Sequence, residues 1–412
     1  MAPYGNGIAA ENFPYLGDKL GSFSLLLYRL RAKNIVYTFQ TRKPVNIKVS
    51  VQADYVEKTP KMWYKIYMVI KNKEYYRNSR FLGCFCVIIL LALSGCTNVF
   101  MENLLARKEG PYTGPYGDGS PGNPFRVYDV ETLIKVGTET TPNGWNKGAH
   151  YRQERDIDMF GKFWNPIGDG SFSFTGLYDG KNRTIKNLVI NDSFSNLQGL
   201  FGYNSGGTLM NIRLVNYDIS MANGEYIGGI VGFNTGIVKN CYATGNVYGA
   251  DAVGGVVGEN DSGGTVQNCY AAGNVTGDNN IGGIVGENNG TVLFCYYAGN
   301  NVSGSSYVGG VVGYNSATVK NCVALNRNIN NTPPTNNGRV VGNNTGMTLA
   351  KLFAREDMKL NDGLVTWSNP GIAAADGDEI NKPDHWSKSN WWITMAEFTD
   401  SWWTGKLPLG LD

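Results

Sequence analysis

The sequence predicts an all-β chain wound as a parallel β-solenoid with a small C-terminal Trp-rich cap. A recurring phrase, its period and its near-uncharged character predict this. Between Ile227 and Cys322 the chain repeats Gly-Gly, two β-branched residues, Gly, an Asn-bearing turn, a strand and a cysteine. The copies read Gly228-Gly229-Ile230-Val231-Gly232, Gly254-Gly255-Val256-Val257-Gly258, Gly282-Gly283-Ile284-Val285-Gly286 and Gly309-Gly310-Val311-Val312-Gly313. Cys241, Cys269, Cys295 and Cys322 follow at intervals of 28, 26 and 27 residues. A period of this length, built from short strands and Gly/Asn turns, marks a solenoid. One copy is too short to bury its own apolar face, so each must stack on its neighbours. The stretch 225–342 holds six acidic and four basic residues. That rules against a nucleic-acid partner, which needs a clustered basic face.

The remaining composition narrows the chemistry. In 412 residues there are 54 glycines, about twice the usual share and without the every-third spacing of collagen. Net charge is +2, and the only histidines are His150 and His385, which leaves little for acid–base or metal catalysis.

Taken in order, residues 1–67 show no sustained period. From residue 68 a basic stretch with Lys71, Lys73, Arg77 and Arg80 precedes the apolar run Cys84 to Cys96, too short to span a bilayer at ~20 residues. This is the pattern of a secretory signal. Its end, Leu93-Ser94-Gly95-Cys96, resembles the lipobox of bacterial lipoproteins, in which cleavage precedes the cysteine and lipid is added to it. The expectation is a signal peptide over 68–95 and a lipid-anchored Cys96, with the membrane as a partner through that lipid. A signal belongs at the start of a chain. Translation is therefore expected to begin at Met68 or Met62, with residues 1–67 an over-long gene start or an unstructured leader; the alternative is a small cytoplasmic N-terminal domain. Sequencing the precursor's amino terminus tests this, and a peptide from residues 1–61 would refute it.

Residues 96–124 thin into a Gly/Pro run, Gly110 to Gly122, expected to be an extended tether. An ordered region starts at Phe125, with a short helix expected at Val130–Val136. Strands are expected at Tyr151–Asp158, Thr184–Ile190 and Met210–Val215, with Asp169-Gly170 and Asp179-Gly180 as turns that need positive φ. Gly199-Leu200-Phe201-Gly202 and Gly338-Arg339-Val340-Val341-Gly342 are worn copies of the phrase, as terminal rungs should be. The solenoid is thus placed at 125–348 and the cap at 349–412. Leu349–Leu360 reads as a helix. Trp367, Trp386, Trp391, Trp392, Trp402 and Trp403 crowd the tail, either as a cover for the last rung or as an aromatic ligand platform.

In stacked rungs, equivalent residues lie about 4.8 Å apart. Ile230, Val256, Ile284 and Val311 then form an inward ladder, and Asn234, Asn260, Asn288 and Asn315 a ladder of amides. Tyr242, Tyr270 and Tyr296 stack beside the cysteines. The repeat glycines Gly229, Gly232, Gly255, Gly258, Gly283, Gly286, Gly310 and Gly313 permit positive-φ bends or close rung contact. Cys241, Cys269, Cys295 and Cys322 are expected as a buried, reduced ladder. Disulfide staples or a zinc site are the alternatives, though no Cys-x-x-Cys occurs.

The phrase Gly-Gly-Ile-Val-Gly-Phe-Asn-Thr-Gly-Ile-Val-Lys-Asn-Cys-Tyr-Ala-Thr-Gly-Asn-Val at 228–247 resembles the GLUG motif of bacterial surface proteins. Upstream, Asp156-Ile157-Asp158, Trp164-Asn165-Pro166-Ile167-Gly168 and Phe174 to Gly180 resemble the opening segment of such domains, so the likeness covers roughly 125–345. The resemblance implies a right-handed parallel β-helix. The family includes adhesin-like proteins and IgA-specific peptidases whose catalysis lies outside the repeats.

The expected function is a lipid-anchored, monomeric protein of the bacterial outer membrane or cell surface. It is adhesin-like or an interaction scaffold, with a host protein or glycan as partner and with no catalytic residue, metal or cofactor. The alternative is a surface enzyme: a peptidase by family association, or a polysaccharide lyase or hydrolase by fold analogy. His-Glu-x-x-His and Gly-x-Ser-x-Gly are both missing. Asp156, Asp158, Asp169 and Asp179 are available as carboxylates for a glycosidase pair, but turns and caps explain them more simply.

Overall fold

The computed structural model describes residues 116–192, 195–333, 336–346, 348–363, 365–367, 371, 374–403 and 407, and the backbone of four strands between 20 and 70. The chain divides into two units, Met1–Pro111 and Tyr112–Asp412. In the first, Leu20–Leu27, Asn34–Gln40, Asn46–Tyr55 and Met62–Ile70 form an antiparallel sheet. The expectation of no strand period in residues 1–67 is thereby corrected. Ile47, Val49 and Val51 alternate with Lys48, Ser50 and Gln52, a period-2 pattern that a half-buried strand requires. The expected signal peptide overlaps the strand Met62–Ile70 at its first three residues; the rest of it, Cys96 and most of the expected tether lie outside the described residues.

The second unit is a parallel β-solenoid of about nine turns. Successive turns are tied by parallel pairing of Phe125–Val127, His150–Gln153, Leu177–Asp179, Thr208–Met210, Ile237–Lys239, Thr265–Gln267, Thr291–Leu293, Thr318–Ala324 and Thr348–Arg355, each to the next. A second face stacks six strands from Phe201–Asn204 to Val341–Asn344, and a third stacks five from Glu225–Gly228 to Asn337–Gly338. The register is strict. Val231, Val257, Val285, Val312 and Val341 lie in one column, and Ile230, Val256, Ile284, Val311 and Val340 are wholly buried beside them. The first turns fill the same interior with larger rings, Phe125, Tyr151, Phe174, Tyr178 and Phe201. The expected short helix forms at Val130–Lys135, capped by the Asp129 carboxylate on the Thr132 amide.

Asparagine and a few other side chains, rather than the repeat glycines, supply the left-handed bends. Asn211, Asn240, Asn268, Phe294, Asn321 and Lys351 have φ of 52–58°, each one residue before the inward Ile212, the four cysteines and Leu352. Asn187 at 60° breaks the expected strand 184–190 in the same way. A single αL residue turns the chain through a corner, and Asn tolerates that conformation better than most residues. At the two Asp-Gly turns the positive φ falls on Gly168, Lys181 and Asn182, not on Gly170 or Gly180.

The repeat glycines serve close approach instead. A Cβ on Gly229, Gly255, Gly283 or Gly310 would lie 2.1–2.5 Å from the carbonyl oxygen of the rung above. On Gly232, Gly258, Gly286 or Gly313 it would lie 2.4–2.7 Å from backbone of the rung below.

The C-terminal region departs from expectation twice. Thr348–Arg355 is a strand, not a helix, because it is templated by Thr318–Ala324: Leu352 stacks on Cys322 and Phe353 on Val323. The ladder continues past residue 348 to Asp378–Ile380, which pairs with Phe353–Arg355. The open end is closed by residues 356–380. Val340 and Val341 amides donate to Ala375 O, and the buried Arg339 bonds Glu379 and Gly377 O with its guanidinium over Trp367. Residues 382–403 do a different job. They lie along the side of the solenoid, where Trp386, Trp391, Trp392, Phe398 and Trp403 bury Tyr296, Val323, Leu325 and Phe353. Trp386, Trp391, Trp392 and Trp403 are therefore a lateral strap more than an end cap. Those four are also too deeply buried to serve as an open aromatic platform.

A candidate binding cleft

The repeat residues singled out by sequence lie inside the fold. Cys241, Cys269, Cys295 and Cys322 are wholly buried and unpaired, and each thiol donates to the carbonyl two residues earlier at 3.2–3.3 Å. Burial pushes the Cys241 and Cys295 thiols well above their ordinary range. Among the described residues no group of His, Cys, Asp and Glu is arranged to hold a metal ion. The amide ladder is continuous: Asn204, Asn234, Asn260, Asn288 and Asn315 each donate Nδ2 to the next Oδ1 at 2.6–2.8 Å, ending on Asn344. Tyr242, Tyr270 and Tyr296 stack at 4.8 and 4.4 Å, and Arg213 extends the stack at 5.3 Å from Tyr242.

The four aspartates of the glycosidase reading are engaged in local structure. Asp156 accepts from the Thr184 amide, Asp158 from Phe160 N and Asn187, Asp169 from Ser171 N and Phe172 N, and Asp179 from Lys181 N and Asn211. His150 lies on an early strand and His385 in the lateral strap, where its Nδ1 meets Asn381.

An open feature lies in the first turns. The six-stranded face runs from Asn344 back to Phe201, and residues 163–174 prolong it only by single bridges, Ile167 to Phe201 and Phe174 to Asn204. The preceding turn does not prolong it at all. Residues 137–148 form a tight loop closed on itself by the Thr138–Asn146 bridge and by Asn146 Nδ2 bonds to Thr141 O and Pro142 O. Thr175 N bonds Lys147 O and joins the two walls at one end. The missing strand leaves a cleft of about 880 Å³, within the range of ligand sites.

Its wall carries aromatic rings that the fold leaves in water. Phe163 is 99% exposed and Phe172 59%, and Phe160 stands exposed nearby. Trp164, in the same lining, is buried and donates its Nε1 to Leu200 O. The Lys147 ammonium stands 5.7 Å from the Phe172 ring and has no carboxylate partner among the described residues. Two carboxylates line the cleft beside that ammonium, Glu139, which accepts from Trp145 N, and Asp169, which accepts from Ser171 N and Phe172 N. Sequence reasoning missed Lys147, Phe163 and Phe172, although three phenylalanines in a Gly-rich loop (Phe160 to Phe172) were a legible signal. A loop has no interior in which to put them.

The family model for the GLUG motif matches residues 223–248, 249–276 and 304–330. The turn between the last two, outside the matches, carries Phe294 where the others have Asn before cysteine. The chain is 33% identical over 158 residues, 35% of its length, to halomucin of Haloquadratum walsbyi. It is 31% identical over 132 residues, 30% of its length, to a putative Gly-rich membrane protein of Evansella cellulosilytica. The matches span 2% and 15% of those two proteins. No solved structure matches the chain.

Proposed function

We propose that this chain, a GLUG-repeat protein on a parallel β-solenoid, is a lipid-anchored bacterial surface protein that acts as an adhesin-like binding scaffold. The observation that carries the binding role is the cleft walled by Phe163 and Phe172, whose rings face solvent. The names of the two relatives, a mucin-like name and a membrane protein, support a place at the cell envelope. The lipobox-like Leu93-Ser94-Gly95-Cys96 supports a lipid on Cys96. Several acyl chains on one residue anchor stably where a single chain is marginal.

No catalytic step is assigned, since the aspartates a hydrolase would use are spent on turns. The ligand falls within the class of host proteins and glycans.

Two measurements test the reading. Cells expressing the full chain should adhere to mucin- or matrix-coated surfaces better than cells lacking it, and Phe163→Ala should remove that gain. Equal adhesion of expressing and non-expressing cells would refute the adhesin role. Replacing Cys96 by Ala should move the protein from the membrane fraction to the soluble one, and unchanged fractionation would sink the anchor.

A further inference from the structure

We infer that Lys351 and Asn321 join in an intramolecular isopeptide bond. The Lys351 amine attacks the Asn321 side-chain amide, Glu397 carries the proton, and ammonia is lost. The product is a covalent staple between two rungs, independent of the surface-binding reading above.

The geometry of one corner carries the assignment. Asn321 and Lys351 occupy the same αL position of successive rungs, since Lys320 pairs with Ala350 and Cys322 with Leu352 on either side of them. Stacked strands place such residues about 4.8 Å apart. Further back along this corner the amides form a ladder: Asn240 donates to Asn211 Oδ1 and Asn268 to Asn240 Oδ1, each at 3.2 Å. For Asn321 the equivalent donor falls at residue 351, which is a lysine. Its Nζ bonds Glu397 Oε1 instead, and Asn321 Oδ1 is left buried without a partner. A buried amide carbonyl in that state is rare in a purely structural role. Asn321 Nδ2 donates to Ala396 O at 3.0 Å and to Glu397 Oε2 at 3.1 Å. One carboxylate thus holds the nucleophile on one oxygen and the leaving nitrogen on the other. Glu397 is fixed there at φ 61°, a left-handed conformation that costs a non-glycine residue energy.

The chemistry needs nothing from outside. Hydrogen bonds from Lys351 and then Asn321 hold the Glu397 carboxyl below its ordinary range, so it is an anion able to accept a proton. It takes one from the Lys351 ammonium, and the freed electron pair on Nζ attacks Asn321 Cγ. The new C–N bond forms as the carbonyl opens. Glu397 passes its proton to Nδ2, the Cγ–Nδ2 bond breaks, and the carbonyl is restored. A second proton from Nζ departs with the ammonia as ammonium, so Glu397 ends as the carboxylate it began. Free amines attack amides very slowly, but fixing both partners in one fold is worth an effective concentration of about 10⁵–10⁸ M. Asn321 is wholly buried, which keeps water from competing for the amide. Lys351 and Glu397 are partly exposed and give ammonia a way out. A solenoid frays from its ends, where a rung packs on one side only. The staple ties Thr348–Arg355 to Thr318–Ala324 near that end.

The test reads the bond directly. The full chain, purified from expressing cells and kept for a week in mildly alkaline buffer, is denatured, digested with trypsin and analysed by tandem mass spectrometry. Trypsin cuts after Lys320, Arg327, Arg339 and Arg355, and after Lys351 only when its amine is free. The expected product is a branched peptide, Asn321–Arg327 joined to Val340–Arg355, lighter than the two together by one ammonia. Lys351→Arg keeps a cation opposite Glu397 but supplies no nucleophile. It should give no branched peptide and melt several degrees lower. Glu397→Gln should slow the branched peptide's appearance about a hundredfold or more. Separate Asn321–Arg327 and Val340–Lys351 peptides as the sole wild-type products would overturn the bond and leave an ion pair only. A branched peptide that forms as fast in Glu397→Gln would overturn the proton carrier. One that forms equally in wild-type chain held unfolded in urea would overturn the folded site.

Discussion

Glu259 stands directly beside Glu287 of the next rung, and the Asn289 amide donates to both carboxylates at 3.2 and 3.0 Å. Asn280 holds Glu287 and Asp251 in the same way at 3.0 Å each. Burial, reinforced by Glu287, Asp261 and Asp251, pushes the Glu259 carboxyl up from 4.5 to about 7; burial, and then the Glu259 charge, raises the Tyr226 phenol. A carboxyl raised in the folded state keeps a proton that the unfolded chain has already released. Its stabilisation is complete below pH 4.5 and is lost as pH rises through about 7. Water at the edge of the site screens the effect to about 1–2 kcal/mol, below the ~3 kcal/mol of the full shift. The melting temperature should therefore fall between pH 5 and 8, and Glu259→Gln should flatten that slope. An equally steep slope in the variant would show that another group titrates. The cysteines give a second residue-scale test. With Cys84, Cys86 and Cys96 replaced by Ser, the native protein should not react with thiol reagents, and all four ladder thiols should react once it is denatured. Cys269→Ala should cost about 1 kcal/mol because little volume is lost. Cys269→Asp should cost several times more, since a bare carboxylate would enter a dry interior. Fewer than four reactive thiols without prior reduction would point to staples.

Between turns, the glycine columns and the strap are the elements with most to lose. A Cβ at Gly283 would sit 2.2 Å from Gly310 O and 2.3 Å from the Tyr297 ring, and its φ is not in the left-handed region. Gly283→Val should therefore fail by overpacking, at about 3 kcal/mol or more. A melting temperature within a degree or two of wild type would mean that the rungs separate at little cost. The strap acts through area. Trp392 is wholly buried, packs on Tyr296 and Phe398, and donates Nε1 to Trp386 O at 2.9 Å. Asn321 bonds Ala396 O, Asn268 bonds Asp400, and Lys351 pairs with Glu397 to fix the strap along the rungs. Trp392→Ala should cost about 3–5 kcal/mol and loosen the strap, exposing Tyr296, Val323, Leu325 and Phe353 to a hydrophobic dye. Wild-type dye binding in that variant would mean that the strap holds without its central ring.

Across the whole solenoid unit, much of the architecture was legible because a solenoid repeats its local solution. The period, the inward ladder of Ile230 and its equivalents, the Asn234 amide ladder and the tyrosine stack all followed from identities recurring at a fixed spacing. Stacking turns a recurrence in sequence into a contact in space. What lacked recurrence was not legible. Leu349–Leu360 carries a local pattern that suits a helix, yet the strand Thr318–Ala324 offers an open ladder of hydrogen bonds that outweighs weak propensity. The αL corners were missed because they fall on Asn, Phe and Lys, while the glycines drew attention as the usual residues for positive φ. The loop phenylalanines of the cleft were legible but its shape was not, since it exists where residues 137–148 fail to add a strand to the face that residues 163–174 prolong. The sequence by itself thus determined the stacked fold, its period and its buried columns, because one residue choice repeated per turn sets the same contact each time. The tertiary structure alone decided where the tail runs and which aromatic rings meet water. Both depend on single, unrepeated contacts between segments far apart in the chain.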